Sequence, residues 1–408
     1  MTLKRSTPSP ATPPIARRPR LGWHTAALAT LSALALLGAC STTPRPAAGW
    51  VCASAAAPCV RAIGLQTLAN GLAYQDTTVG GLSAIDYDPV HDRWLLLSDD
   101  RSAHQAARFY TARIRYTAQQ LLPVELTGVV PLQAPDGQPY PSAAQPRPPQ
   151  PVPDPEAARW APDGLSLLWS SEGDATHQLP PQWQRSRASD GAWLQAYPLP
   201  AALSGPWRGP QGPRDNGTLE GMALSPDGRT TWLAMEQPLR QDGPKATPQA
   251  PGGPVRITAF DTAQGTPLRQ MAYPPDAVPH PRRVPVGPQS NGVSEILADG
   301  PDHLLVLERA YSAGVGVSAR LYRVALDSGS NTLALAALEP GHYQPARKTL
   351  VADIGQLGLP QAIDNLEGMT WGPPLTDGTR VLVLVADDNF NPAQTTQFIA
   401  LAWRDAPR

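Results

Sequence analysis

Residues 219–236 read Leu-Glu-Gly-Met-Ala-Leu-Ser-Pro-Asp-Gly-Arg-Thr-Thr-Trp-Leu-Ala-Met-Glu. A short apolar strand, a Ser-Pro-Asp-Gly turn and a second apolar strand ending on a carboxylate follow one another. Asp-Gly between apolar runs marks a hairpin, because glycine supplies the positive φ that such a turn needs. Related blocks return as Gly81-Leu82-Ser83-Ala84-Ile85, Asp163-Gly164-Leu165, Val293-Ser294-Glu295-Ile296 and Leu366-Glu367-Gly368-Met369. Repetition at tens of residues points to a propeller or an array.

Working outward, each block brings its own hairpin. Leu82 to Tyr87 pairs with Arg93 to Ser98, Ile296-Leu297 with Leu304 to Leu307, and Met369 to Trp371 with Val381 to Val385. Outer strands follow at Arg108 to Arg113, Val255 to Phe260, Arg320 to Ala325 and Gln397 to Ala402. No stretch keeps helical periodicity, and 49 prolines would break most candidates. The chain is therefore read as all-β.

Matched positions at Gly80, Asp163, Glu220, Glu295 and Glu367 are 83, 57, 75 and 72 residues apart. A four-stranded blade needs about 40–50 residues, so the units carry insertions or hide a further blade. Residues 131–162, with 11 prolines, read as one insertion, and 238–254 and 274–288 as shorter ones. The expectation is a single β-propeller of about six blades, within a range of five to seven. A strand near Arg61 to Leu68 would close the ring against the C-terminal strands. An array of β-sandwiches is the structural alternative.

Residues 1–39 hold Lys4, Arg5, Arg17, Arg18, Arg20 and no acid, and contain the apolar run Ala26 to Leu37. That run is too short for the ~20 residues that span a bilayer, and the pattern is that of a secretory signal. Leu37-Gly38-Ala39-Cys40 resembles a bacterial lipobox, which implies cleavage before Cys40 and lipidation of that cysteine. Residues 40–62 read as a tether and 63–405 as the folded domain. The expected location is the bacterial envelope, anchored in the outer membrane and facing the periplasm, as a monomer. After the signal, 28 basic and 34 acidic residues remain, which argues against a nucleic-acid partner. Cys52 and Cys59 then read as a disulfide suited to an export compartment.

Two acidic sets emerge when the units are aligned. One stands at the start of the first strands: Asp163, Glu220, Glu295 and Glu367. The other follows the second strands: Asp99 and Asp100, Glu172, Glu236, Glu308, Asp387 and Asp388. In a propeller the innermost strands run along the central channel, so matched positions form rings. Crowded carboxylates repel unless cations or arginines neutralise them. Oxygen ligands without Cys or His suit Ca²⁺ or Mg²⁺. Arg101 and Arg309, adjoining the acids, have the fork that grips a phosphate or carboxylate. The competing view is that such acids cap turns or pair blades. No GxSxG elbow, P-loop, HExxH or HxH motif occurs, and only Lys4, Lys245 and Lys348 carry an ammonium.

Gly80-Gly81-Leu82-Ser83-Ala84-Ile85-Asp86-Tyr87-Asp88 with Leu95-Leu96-Leu97-Ser98-Asp99-Asp100-Arg101 resembles the opening of the phytase-like family, described as "esterase-like activity of phytase". The likeness continues through residues 216–228 and 231–236 and ends with 364–372 and 386–390, spanning about residues 74 to 403. It implies an extracytoplasmic propeller that hydrolyses phosphate or other esters with help from a divalent metal. On the ring argument, Asp99, Glu220, Glu295, Glu308, Glu367 and Asp387 would hold Ca²⁺, and Arg101 and Arg309 would clamp the ester's phosphate. The alternatives are a non-catalytic scaffold of the cell envelope and a Ca²⁺-dependent lactonase or arylesterase.

Overall fold

The computed structural model describes residues 49–406. Its strands form five antiparallel blade sheets and one two-stranded hairpin, Ala73–Tyr74 with Thr77–Thr78; four of the blades follow the chain in sequence order. Blade 1 is Leu82–Asp88, Arg93–Ser98, Arg108–Arg113 and Glu125–Pro131. Blade 2 is Pro155–Trp160, Ser166–Ser171, Gln182–Arg187 and Trp193–Tyr197. Blade 3 is Leu219–Leu224, Thr230–Met235, Val255–Asp261 and Pro267–Tyr273. Blade 4 is Gln289–Ala298, His303–Ser312, Gly316–Ala325 and Lys348–Asp353. Blade 5 takes Asn365–Gly372, Arg380–Asp387 and Gln397–Arg404 from one end of the chain and Cys59–Thr67 from the other.

The five inner strands touch in order, and the last touches the first. The protein is a five-bladed β-propeller, at the lower bound of the expected range. No sixth blade forms because the extra length goes into loops, such as 132–154 and 326–347. One part of the supposed insertion at 131–162 is in fact the inner strand of blade 2. The closing strand is where the sequence reading puts it, pairing from Cys59↔Arg404 to Thr67↔Gln397. It starts ahead of residue 63, the boundary drawn from sequence. A disulfide joins Cys52 to Cys59, the first residue of the closing strand. The signal at 1–39 and the lipidation residue Cys40 lie outside the described residues.

Each blade is covered on both faces by its neighbours, so second strands such as Leu95-Leu96-Leu97 and Val381 to Ala386 are apolar throughout. Between blades 1 and 2, Leu95, Leu97 and Phe109 pack against Trp160, Leu167 and Trp169. Burying each such side chain contributes about 1.5–3 kcal/mol.

One irregularity recurs in every blade. The pairing of first and second strands slips at Leu82/Ala84, Leu219/Gly221, Val293/Glu295 and Leu366/Gly368, and at Trp169/Ser171 on the second strand of blade 2. Such bulges re-aim side chains near functional sites. The unpaired residues are Ser83, Glu220, Ser294 and Glu367, with Glu156 in the blade 2 slip. Glycine follows the bulged acid where inner strands crowd. A Cβ on Gly221 would come within 2.9 Å of Ile296 N, and one on Gly368 within 2.9 Å of Ile85 N.

Candidate functional site

The bulges and the ends of the second strands converge at one end of the channel on a cavity of about 710 Å³. Asp99, Asp154, Glu156, Glu172, Glu220 and Glu367 line it, with Arg101 and Arg309 as the facing cations. Glu236 and Asp387 do not line it but adjoin its wall, Glu236 3.5 Å from Arg309 and Asp387 3.5 Å from Asn365. The ring position is defined by register. Ser98, Ser171, Met235, Glu308 and Ala386 pair with corresponding inner-strand residues. The residue after each is Asp99, Glu172, Glu236, Arg309 and Asp387. Four blades supply an acid there, and blade 4 supplies an arginine.

On the side of blades 1 to 3, Asp154, Glu156 and Glu172 bring carboxylate oxygens within 4.8 Å of one another. Glu172 accepts from the Thr218 amide at 2.6 Å. Among the described residues Asp154 has only Arg101, at 3.4 Å, to offset its charge. Glu220 is 7 % exposed, yet its carboxylate accepts no hydrogen bond and forms no ion pair among the described residues. Asp99 and Glu156 likewise have no partner. Burial, followed by neighbouring negative charge, pushes Asp154 up to about 7 and Glu172 to about 8. The same causes hold Asp99, Glu156 and Glu220 well above the carboxylate range.

Across the cavity, Arg309 donates to Asn365 Oδ1 at 2.6 Å and lies 3.5 Å from both Glu236 and Glu367. Asn365 in turn donates to Glu367 at 2.9 Å and to Asp387 at 3.5 Å. The Arg309 Nε–H is buried without a partner among the described residues. These charges raise the guanidinium's pKa further.

Glu308, Glu295 and Asp163, all expected in the rings, are elsewhere. Glu308 precedes the ring position by one residue, and in a strand that turns the side chain to the other face. It accepts from Tyr273 at 2.5 Å, Asn291 at 2.7 Å and Lys348 at 2.5 Å, in a network between blades 3 and 4. Glu295 follows the bulge residue Ser294 and stands level with Gly221 and Gly368, so it too misses the cavity. Asp163 is not at the start of a first strand. It caps the blade 2 turn by accepting from Leu165 and Ser166, and pairs with Arg185.

Glu295 meets Arg159 at 2.7 Å on the axis and also accepts from Met222 N and Ile296 N. Arg159 donates to the carbonyls of Ile85, Ile296 and Met369. One buried ion pair thus joins all five blades and plugs the channel beneath the acidic cavity. Beyond it lies a second cavity of about 490 Å³ with Leu224, Leu297, Trp371 and Arg380 in its walls. Burial pushes Glu295 up to about 7 against the pull of Arg159.

The mouth of the acidic cavity carries backbone strain. Ser102, Asn216, Asn389 and Phe390 all have φ between +48° and +55°. Non-glycine residues in that region cluster at functional sites. Phe390 stacks on His104 with centroids 4.3 Å apart, and Arg101, 41 % exposed, bridges Asp154 to Asp174 at 2.8 Å.

The structure therefore brings together Asp99, Glu220, Glu367, Asp387 and Arg309, leaves Arg101 at the rim, and separates Glu295 and Glu308. Asp154 and Glu156 were missed. A signal for Glu156 exists: Pro162-Asp163-Gly164 repeats Pro226-Asp227-Gly228, and in both a Glu stands seven residues before the Asp and another nine after it.

A family model described as "Phytase-like: Esterase-like activity of phytase" matches residues 77–390. No curated protein matches the chain. Among solved structures, hydrazine synthase of Kuenenia stuttgartiensis is 13 % identical, with 78 % of this chain and 81 % of that one covered at a TM-score of 0.35. The Swd1 propeller domain of Myceliophteria thermophila is 8 % identical, covering 82 % and 98 % at 0.33. A gluconolactonase of Xanthomonas campestris is 14 % identical, covering 88 % and 98 % at 0.32. At these TM-scores the likenesses add nothing to the propeller read from the strands.

Proposed function

This chain belongs to the phytase-like family, and from that premise we propose that its acidic cavity hydrolyses phosphate monoesters or related esters with a divalent cation. One observation carries the reading: carboxylates from several blades are buried around a single cavity, and Glu220 among them has no partner among the described residues. A buried charge without a partner costs several kcal/mol, so a cation that neutralises it is the economical explanation. The donor set fits such an ion. Its ligands are carboxylate oxygens, and neither Cys nor His lines the cavity, which favours Ca²⁺ over softer metals.

Asp154, Glu156 and Glu172 would hold the cation, with Asp99 and Glu220 beside them. When bound, such an ion polarises the ester's oxygen and acidifies water. Arg309 supplies charge-assisted donors for the substrate's anionic group from the facing wall. Arg101, at the mouth, meets the incoming anion and offsets Asp154. The Arg159–Glu295 plug closes the inner end, so substrate and product share one mouth.

The protein is further proposed to act outside the cytoplasm, anchored through Cys40. The Cys52–Cys59 disulfide supports an oxidising compartment. Among the described residues no helix is long and apolar enough to cross a membrane.

The test is to titrate Ca²⁺ into chelator-treated protein by calorimetry while assaying p-nitrophenyl phosphate and p-nitrophenyl acetate. The expected result is binding with cation-dependent phosphate release. Acetate turnover alone would shift the reading to a lactonase or arylesterase. Neither heat nor turnover would leave the scaffold.

A further inference from the structure

Blade 4 is the exception in having an acid at neither ring position, whereas blade 1, with Ser83 at its bulge, still supplies Asp99. At the blade 4 bulge stands Ser294, whose hydroxyl donates to Leu366 O of blade 5 at 3.1 Å. At the matching register position of its second strand stands Arg309, where the other blades have Asp99, Glu172, Glu236 and Asp387. Both acids that blade 4 does carry nearby, Glu295 and Glu308, are turned away and fully engaged. Blade 4 therefore brings a positive charge and no carboxylate to the cavity.

The guanidinium also sits where an ion would. Three oxygens surround it from two other blades: Asn365 Oδ1 at 2.6 Å, Glu236 at 3.5 Å and Glu367 at 3.5 Å. Among the described residues the opposite wall has no buried equivalent, only the exposed Arg101 at the rim, 3.4 Å from Asp154. Asp154, Glu156 and Glu172 lie within 4.8 Å of each other, and the adjoining Glu220, more than nine-tenths buried, has no partner among the described residues.

We propose that Arg309 is a built-in cation occupying a second ion position of the ring, so that the cavity takes a single divalent cation, on the wall of blades 1 to 3. The inference rests on the cation-dependent reading above and adds the stoichiometry and the side. An arginine cannot be chelated, and it stays protonated throughout the working pH range. The half of the ring around Glu236 and Glu367 thus remains neutralised when the divalent ion is lost, while the other half keeps only the exposed Arg101 beside Asp154.

The experiment counts Ca²⁺ per chain by calorimetry and by elemental analysis of dialysed full-length protein. Channel sites are those abolished in the double variant Asp154→Asn, Glu156→Gln or in Glu367→Gln. The wild type should hold one, lost in the first variant and kept in Glu367→Gln. Arg309→Gln should hold two, and the second should disappear again in Arg309→Gln, Glu367→Gln. If Arg309→Gln folds only with Ca²⁺ present, its melting temperature should rise with Ca²⁺ more steeply than that of the wild type, and the double variant should restore the wild-type response. Two channel ions in the wild type, or one still in folded Arg309→Gln, would overturn the inference while leaving the hydrolase reading intact. No channel ion in the wild type would remove both.

Discussion

Two groups of buried carboxylates lie along one channel, and they are settled in opposite ways. At the plug, Glu295 is wholly buried and takes Arg159 at 2.7 Å together with two backbone amides. A short step along the inner strands, Glu220 is almost as buried and takes nothing among the described residues. The difference lies in partners rather than in burial. A paired buried charge is architecture that locks blades together. An unpaired one is a cost that persists only where a ligand offsets it.

The comparison breaks if the two acids respond alike to substitution. Glu295→Ala strands Arg159 without its partner and should cost about 3–5 kcal/mol in urea unfolding. The pH dependence of the cation-free protein gives the next effect. An unfolded chain ionises its carboxylates near pH 4, whereas native Asp154 and Glu172 hold their protons to about 7 and about 8. The native state thus binds more protons between those limits, and stability should fall as pH rises from about 4.5 to 8. Saturating Ca²⁺ should flatten the slope; a slope unchanged by Ca²⁺ would speak against a cation in the cavity.

Glu220→Gln sharpens the contrast because its sign is reversed. Without cation it should stabilise the protein near pH 7 by about 1 kcal/mol or more, since native Glu220 must hold a proton that the unfolded chain releases and Gln need not. With Ca²⁺ it should weaken binding at least tenfold. Equal destabilisation in both conditions would mean that Glu220 is structural. Asp163→Asn gives the smallest effect, at most about 1 kcal/mol with hydrolysis unchanged, because its pair with Arg185 is half-exposed.

What the sequence revealed follows from where its signals are local. Hairpins were legible because Asp-Gly turns and apolar second strands are short-range features, and so was the closing strand. The blade count ran high because loop length and an extra blade lengthen the spacing equally. Blade 2 was mis-framed because its inner strand begins at Pro155, inside a proline-rich stretch. In blade 4 the acids were matched by type rather than by offset. A one-residue error in a pleated strand exchanges channel for flank, and so put Glu295 and Glu308 in rings that belong to Ser294 and Arg309. The unmet carboxylate of Glu220 had no sequence signature, since lack of a partner is a property of three dimensions.

The closing strand has a consequence for how the molecule is made. Cys59–Thr67 finds its main partner in Gln397–Arg404, at the far end of the chain, so blade 5 must wait for nearly the whole polypeptide. Blades 1 to 4 pair only neighbours in sequence and can form as they emerge, whereas the last seam is a long-range contact with the slow kinetics such contacts carry. Until then the first folded strand has an open edge, and so does Arg380–Asp387. A chain ending at residue 396 would lose one strand by sequence and two by structure.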